Sequence, residues 1–196
     1  MIAYLNGVIT YKSPTHIYIE CAGVGYHVNI SLSTFSAIEH QEQIRIFTYL
    51  HINEQAHTLY GFATEDEKEM FVHLISVNGI GPNTARLVLS SLSTIELQKA
   101  IIHQEVSLIQ KIKGIGPKTA QRMVLELRDK MSKILVNDPT YDLQSSAPSF
   151  SDEAIAALVM LGFAKVQAEK VVKSVAKSHP AIPSVEELIK ISLKNL

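Results

Sequence analysis

One cysteine stands among 196 residues. Cys21, in the run "HIYIECAG", has no partner for an internal disulfide and no companions for a thiolate metal cluster. A disulfide scaffold and redox chemistry are therefore excluded, and the residue is expected to pack within a strand. Long apolar runs are missing too: none reaches the roughly eighteen residues a membrane span needs. The start, "MIAYLNGVITYK", has neither the basic opening nor the apolar block of a signal peptide, which predicts a cytoplasmic protein with no membrane attachment. Catalytic signatures are equally scarce. No Walker A lysine loop is present, so any ATP hydrolysis must come from a partner. The eight histidines form no H-E-x-x-H pattern, and the early acids lack magnesium-ligand spacing, so no catalytic residue, metal or cofactor is expected.

Charge of one sign is also lacking, since the net charge is −1, but its distribution is uneven. Residues 1–63 carry two bases (Lys12, Arg45) against four acids (Glu20, Glu39, Glu42, Glu54). Residues 107–134 carry seven bases (Lys111, Lys113, Lys118, Arg122, Arg128, Lys130, Lys133) against two acids (Glu126, Asp129). That concentration is either a solvated lysine-rich helix face or a local hold on a polyanion.

At 46% hydrophobic content the chain can bury one good core or divide into two or three small ones. From Ile2 to Phe62 the alternation is that of strands: "THIYIEC" puts Ile17, Ile19 and Cys21 on one face, and "QIRIFTYLHI" does so for Ile44, Ile46, Thr48, Leu50 and Ile52. Several short strands in so few residues predict a small antiparallel barrel, of the five-stranded OB type or another small barrel. At Thr64 the character changes, because "TEDE" reads as a helix cap with a capping-box glutamate at Glu67. Helices are expected from Glu65 to about Val77 and from Asn83 to about Ser90. A linking helix capped by Ser93 and Glu96 follows, then a second helix, turn and helix up to Met131. "VNDPTYDLQSSAPS" reads as a linker, and three short amphipathic helices follow it, capped at Ser151 and Ser184. The expected fold class is thus multi-domain α+β, with domains at residues 1–63, 64–134 and 150–196 and a linker at 135–149.

Within the helical stretch one shape occurs twice: "VNGIGPNTA" begins at Val77 and "IKGIGPKTA" begins thirty-five residues later at Ile112. The glycines allow backbone conformations that a Cβ obstructs, and the proline suits the first turn of a helix. A single such turn is either a tight corner or an anion site made from free amides at a helix N-terminus. Two copies favour paired phosphate sites on one duplex backbone, read without regard to base sequence. Ile80 and Ile115 are expected to pin the turns inward, while Thr84, Thr119, Arg86, Lys118 and Arg122 extend the sites.

These turns resemble the helix-hairpin-helix motif of DNA-binding proteins. The order of "LYGFATEDEKEMF", "NGIGPNTARLVLS", "IKGIGPKTAQRMVLEL", a polar linker and "ALVMLGF" resembles the RuvA family of bacterial Holliday-junction-binding subunits over essentially the whole chain. The resemblance implies a non-catalytic protein of recombination, DNA repair and the SOS response to DNA damage. It implies a homotetramer, in some cases an octamer, that holds a four-way junction open while the hexameric ATPase RuvB drives branch migration, with the RuvC resolvase as a further partner. Residue by residue, it puts phosphate contacts at Gly79, Gly81, Gly114 and Gly116, supported by Thr84, Lys118, Thr119 and Arg122. Asn83 stands where family members often carry lysine, with Arg86 as a substitute, and Pro117 stands where a basic residue is common. The resemblance also implies an acidic pin in the hairpin "HINEQAHTLYGF", where Glu54 matches the first acid and Gln55 replaces the second. Without it, Glu54 reads as a solvated hairpin-tip acid. The last module is implied to bind RuvB through exposed members of Leu158, Met160, Leu161 and Phe163. A rival reading is a helix-hairpin-helix DNA glycosylase with lyase activity using Lys118 as nucleophile. Its required aspartate has no counterpart beyond Asp138 of the linker, and one cysteine excludes the iron–sulfur cluster of one branch.

Overall fold

The computed structural model describes residues 2–136, 150–178 and 184–195. The expected linker therefore lies, from residue 137 onward, outside the described residues, as does Asp138. The described chain forms two compact units, Met1–Ile134 and Leu135–Leu196.

In the first unit, five strands close a barrel: β1 (Tyr4–Lys12), β2 (His16–Cys21), β3 (Val24–Ile30), β4 (Gln43–Ile52) and β5 (His57–Phe62), in the order β1-β2-β3-β5-β4. All pairings are antiparallel except β3 with β5. Strand alternation sends Leu5, Ile17, Ile19, Val28, Ile30, Ile44, Ile46 and Leu59 into the barrel. Cys21 packs against this core, as its strand position required. The expected face of β4 holds for Ile44, Ile46 and Thr48, which are buried, but Ile52 is exposed because the β4–β5 hairpin runs past the end of the core.

One element has no counterpart in the strand pattern. Helix α1 (Leu32–Ala37) sits between β3 and β4, started by Ser31, whose hydroxyl accepts the Thr34 N–H at 2.9 Å. It also redirects Glu67. Thr64 caps helix α2 (Glu65–Ile75) as expected, accepting the Glu67 N–H at 3.2 Å. The Glu67 carboxylate, however, accepts from the Ser31 hydroxyl, from the Thr34 hydroxyl at 2.6 Å and from the Ala63 N–H at 3.4 Å. A buried carboxylate needs several donors, and α1 supplies more of them than a capping box would.

The remaining helices of this unit are α3 (Pro82–Ser91), α4 (Thr94–Ile102), α5 (Val106–Gln110) and α6 (Pro117–Val136). Ser93 and Glu96 form the reciprocal capping box read from the sequence. The helices share one core with the last barrel strand. Phe71 of α2 packs against Tyr49, Tyr60 and Phe62 with ring centroids 4.9–5.5 Å apart. Barrel and hairpins are thereby welded into one body rather than strung together.

The second unit contains α7 (Phe150–Met160), α8 (Lys165–Ser178) and α9 (Val185–Lys194). Helix α7 begins at Phe150, one residue ahead of the serine expected to cap it, while Ser184 caps α9 by accepting the Glu187 N–H. Ala154, Leu158, Ala168, Val172, Val175 and Leu188 form its small core.

Candidate nucleic-acid interface

Two turns separated by thirty-five residues have almost the same backbone. Gly79 has φ +92° and Gly114 φ +91°. The Ile80 N–H donates to the Val77 carbonyl and the Ile115 N–H to the Ile112 carbonyl, both at 3.1 Å. The first helical bonds, Ala85 N–H to Gly81 O and Ala120 N–H to Gly116 O, both measure 3.0 Å. Val77, Ile80, Ile112 and Ile115 are buried and anchor each turn to the shared core.

The two glycines of each turn have different reasons to be glycine. Gly79 and Gly114 occupy the left-handed region, where a side chain is strained. Gly81 has φ −85° and ψ 170°, a conformation open to any residue, and a Cβ built there meets nothing within 4 Å. Gly116 likewise lies outside the left-handed region, with open space around it. Nothing inside the protein demands glycine at these two positions. What a bare backbone there provides is close approach from outside.

The donors for such an approach are in place. Gly81 caps α3 without any side-chain bond, and Pro82 has no N–H. Among the described residues, the N–H groups of Gly79, Gly81, Asn83 and Thr84 have no protein acceptor, and neither do those of Gly114, Gly116, Lys118 and Thr119. Each turn therefore presents unpaired amides at the positive end of a helix, the arrangement that binds phosphate oxygens.

Side chains distribute unevenly around the turns. Lys118 is exposed, with no ion pair or side-chain hydrogen bond among the described residues, beside exposed Lys111 and Lys113. Thr119 and Arg122, expected beside the second turn, reach the first. The Arg122 Nη1 donates to the Asn78 carbonyl at 3.2 Å, and the Thr119 hydroxyl lies 3.9 Å from where a Cβ on Gly79 would stand. Arg122 also faces Glu126 at 4.0 Å. Arg86, expected as a cation for the first turn, directs Nη1 to the barrel instead, donating to the Thr15 carbonyl at 2.9 Å and to Asn29 Oδ1 at 3.4 Å. Asn83 is exposed, and its Oδ1 accepts from the Tyr60 hydroxyl at 3.5 Å. Burial raises the Tyr60 phenol above its ordinary pKa, and nearby Arg86 opposes that rise. No sequence signal marked the bridges to Thr15, Asn29, Asn78 and Asn83, because each joins residues more than twenty positions apart.

At the β4–β5 tip, Glu54 and Gln55 are both exposed. The tip is held by Asn53, whose Oδ1 accepts the N–H groups of Gln55 and Ala56 at 3.0 and 2.7 Å. In the second unit, the structure sorts the four apolar candidates. Leu158 is fully buried in the core, and Phe163 packs against it. Met160 (89% exposed) and Leu161 (62%) face outward. In the turn after α7, Gly162 takes φ +100° and the Phe163 N–H returns to the Leu158 carbonyl at 3.2 Å, which turns Phe163 inward. Among the described residues no group of three or more metal-ligating side chains occurs, and no helix is long and apolar enough to cross a membrane.

Comparison with known proteins gives three family matches along the chain. A family model described as the RuvA N terminal domain matches residues 1–61, a SAM-like helix-hairpin-helix tandem matches 71–129, and the RuvA C-terminal domain matches 149–196. The chain is 48% identical over 197 residues to the Holliday junction branch migration complex subunit RuvA of Cytophaga hutchinsonii, covering 99% of both chains. It is 47% identical to that of Christiangramia forsetii over 196 residues and 44% identical to that of Bacteroides thetaiotaomicron over 202 residues, covering 100% of each chain in both cases. A barrel, two matched hairpin turns and a small helical module, matched from end to end in these relatives, place this chain in the RuvA family.

Proposed function

We propose that this protein is the non-catalytic DNA-binding subunit of a branch-migration complex, acting in the cytoplasm on four-way junctions in recombination and repair. The observation that carries the reading is the pair of glycines, Gly81 and Gly116, that neither backbone conformation nor packing requires. They stand where phosphate oxygens would meet free amides. Two such turns fixed in one core can hold two phosphates of a duplex backbone without reading bases. Thr84, Lys118, Thr119 and Arg122 supply the surrounding hydroxyls and charge, and Asn83 a neutral donor. Arg86 serves the first turn by holding α3 against the barrel.

In this scheme the barrel (1–63) forms the centre of a homotetramer that can pair into an octamer, and residues 64–134 grip the arms. Residues 135–149 tether the module at 150–196, which receives the RuvB motor on its outward Met160 and Leu161. The RuvC resolvase joins the same junction. Glu54 from four subunits gathers near one axis and repels phosphates at the crossover, with Gln55 leaving that pin weaker than a doubly acidic one. The strand-separating work comes from the partner ATPase, since the sequence carries no Walker A lysine loop.

A gel-shift comparison of a four-way junction with linear duplex of equal length tests the proposal. Preference for the junction is expected, and equal affinity would refute it. Gln55→Asp is expected to speed RuvB-driven branch migration; an unchanged rate removes the argument about the pin. Incubation with abasic-site DNA and borohydride is expected to leave no adduct on Lys118.

A further inference from the structure

A cluster of four rings, none of them part of the hairpin site, lies on the outside of the barrel. Ile17 and Ile19 of β2 point into the core, so His16 and Tyr18 point outward. Tyr18 pairs across the sheet with Tyr11 on β1 and with His27 on β3. The ring centroids of Tyr11 and Tyr18 are 5.0 Å apart, those of Tyr11 and His16 5.3 Å, and those of His16 and His27 4.7 Å. Despite this packing, Tyr11 stays 47% exposed and Tyr18 43%. The His16 Nδ1 is held by the Ser13 and Thr15 hydroxyls, both at 3.0 Å, which fixes the ring against the face. Burial and neighbouring His16 lower the His27 pKa, favouring its neutral ring.

The position matters as much as the composition. In five-stranded barrels of this topology, the face of strands 2 and 3 and the loops between strands 1 and 2 and strands 4 and 5 are where oligonucleotides bind. Here the cluster lies on β2 and β3 with one ring from β1, and it adjoins the β1–β2 loop, Ser13 to Thr15. Its edge is continuous with the first hairpin, because Arg86 of α3 binds the Thr15 carbonyl and Asn29, the cross-strand partner of His16.

We propose that Tyr11, His16, Tyr18 and His27 form a single-stranded DNA site that stacks unpaired bases on its rings. The occupant is a nucleobase because the half-exposed Tyr11 and Tyr18 rings, tilted 34° to one another beside the two histidines, offer π faces and little charge. Glu20, on the same outward side of β2, is an acid; Lys12, next to Tyr11, turns its ammonium to the Ile38, Glu39 and Gln41 carbonyls, and Arg86 binds at the edge. Binding here therefore comes from stacking, and with few phosphates neutralised its salt dependence is shallower than at the hairpins, where phosphate neutralisation makes it steep. The site stands whether or not the hairpins select junctions.

Anisotropy titrations of the full-length protein with labelled oligo(dT) and with linear duplex separate the two surfaces. Tyr11→Ala with Tyr18→Ala is expected to weaken oligo(dT) binding about tenfold or more while leaving duplex affinity unchanged. Lys118→Ala with Arg122→Ala should do the reverse, and Tyr18→Phe should keep oligo(dT) affinity. Oligo(dT) carrying 5-iododeoxyuridine should photocrosslink to one of the four rings in the unmodified protein, which tests the site even if the double variant fails to fold. Unchanged oligo(dT) affinity in the double variant, or crosslinks confined to the hairpin turns, overturns the proposal. So does an altered subunit number by light scattering, which would assign the face to contacts between copies of the chain.

Discussion

The two hairpin turns share a backbone to within a degree of φ and a tenth of an ångström in their bonds, yet their surroundings are opposite. The first is braced from two sides. Tyr60 and the Arg86 contacts tie it to the barrel, and Arg122 and Lys130 reach it from α6, the latter donating to the Ser76 hydroxyl at 3.4 Å. The second carries Lys118 and its neighbouring lysines in solvent. Leu87, which occupies in the first hairpin the place Arg122 has in the second, is exposed and apolar. Duplicated local structure thus supports divided labour: one turn is fixed by the fold, and the other supplies most of the charge.

The largest expected effect tests what the turns share. Ile80→Ala and Ile115→Ala each remove a buried anchor and should each destabilise the protein by about 2–5 kcal/mol in urea unfolding. A cost at one turn only would break the equivalence. Next comes the difference in charge. Lys118→Ala with Arg122→Ala should weaken junction binding by about tenfold per charged hydrogen bond lost and flatten its salt dependence, whereas Asn83→Lys should strengthen binding. Arg86→Ala should instead lower stability more than it lowers affinity, since its visible bonds are to the barrel.

The glycines give a finer division. Gly79→Ala and Gly114→Ala force a side chain into the left-handed region and should cost about 1–2 kcal/mol of stability each. Gly81→Ala and Gly116→Ala should leave stability unchanged or raise it slightly while weakening junction binding, because their Cβ atoms enter only the space left for DNA. Loss of stability at Gly81 or Gly116 would refute the assignment of these positions to ligand approach.

The smallest effect concerns the brace between α2 and α6. His73 titrates below its ordinary value of 6.5, through burial first and then Lys130, with Glu69 acting in the opposite sense. A histidine depressed in the folded state contributes stability that is fully present above about pH 6.5 and is lost as pH falls through the folded value. Lys130→Met should move the His73 NMR titration upward and reduce that acid-side loss. An unmoved titration would mean that burial alone sets it.

Much of this was legible in the chain. Strand alternation gave the barrel core, and "GIGP" gave both turns with their helix starts. The caps at Thr64, Ser93 and Ser184 were readable because they join residues three apart. What escaped was the short helix α1, whose six residues are too few for a period to emerge, and the destination of the Glu67 carboxylate, which α1 determines. The bridges from Arg122 to Asn78 and from Arg86 to Thr15 escaped for a related reason: nothing local distinguishes a bracing arginine from a binding one. Among Leu158, Met160, Leu161 and Phe163, only the turn at Gly162 decides which pair faces outward.

The sequence by itself determined the elements and the doubled turn, because these depend on residue types and on neighbours within a few positions. Tertiary structure decided which cations remain free, which glycines are needed only by a ligand, and that four rings from three strands share one outer face. Those outcomes depend on distances between residues far apart in the chain, which packing of the shared core sets.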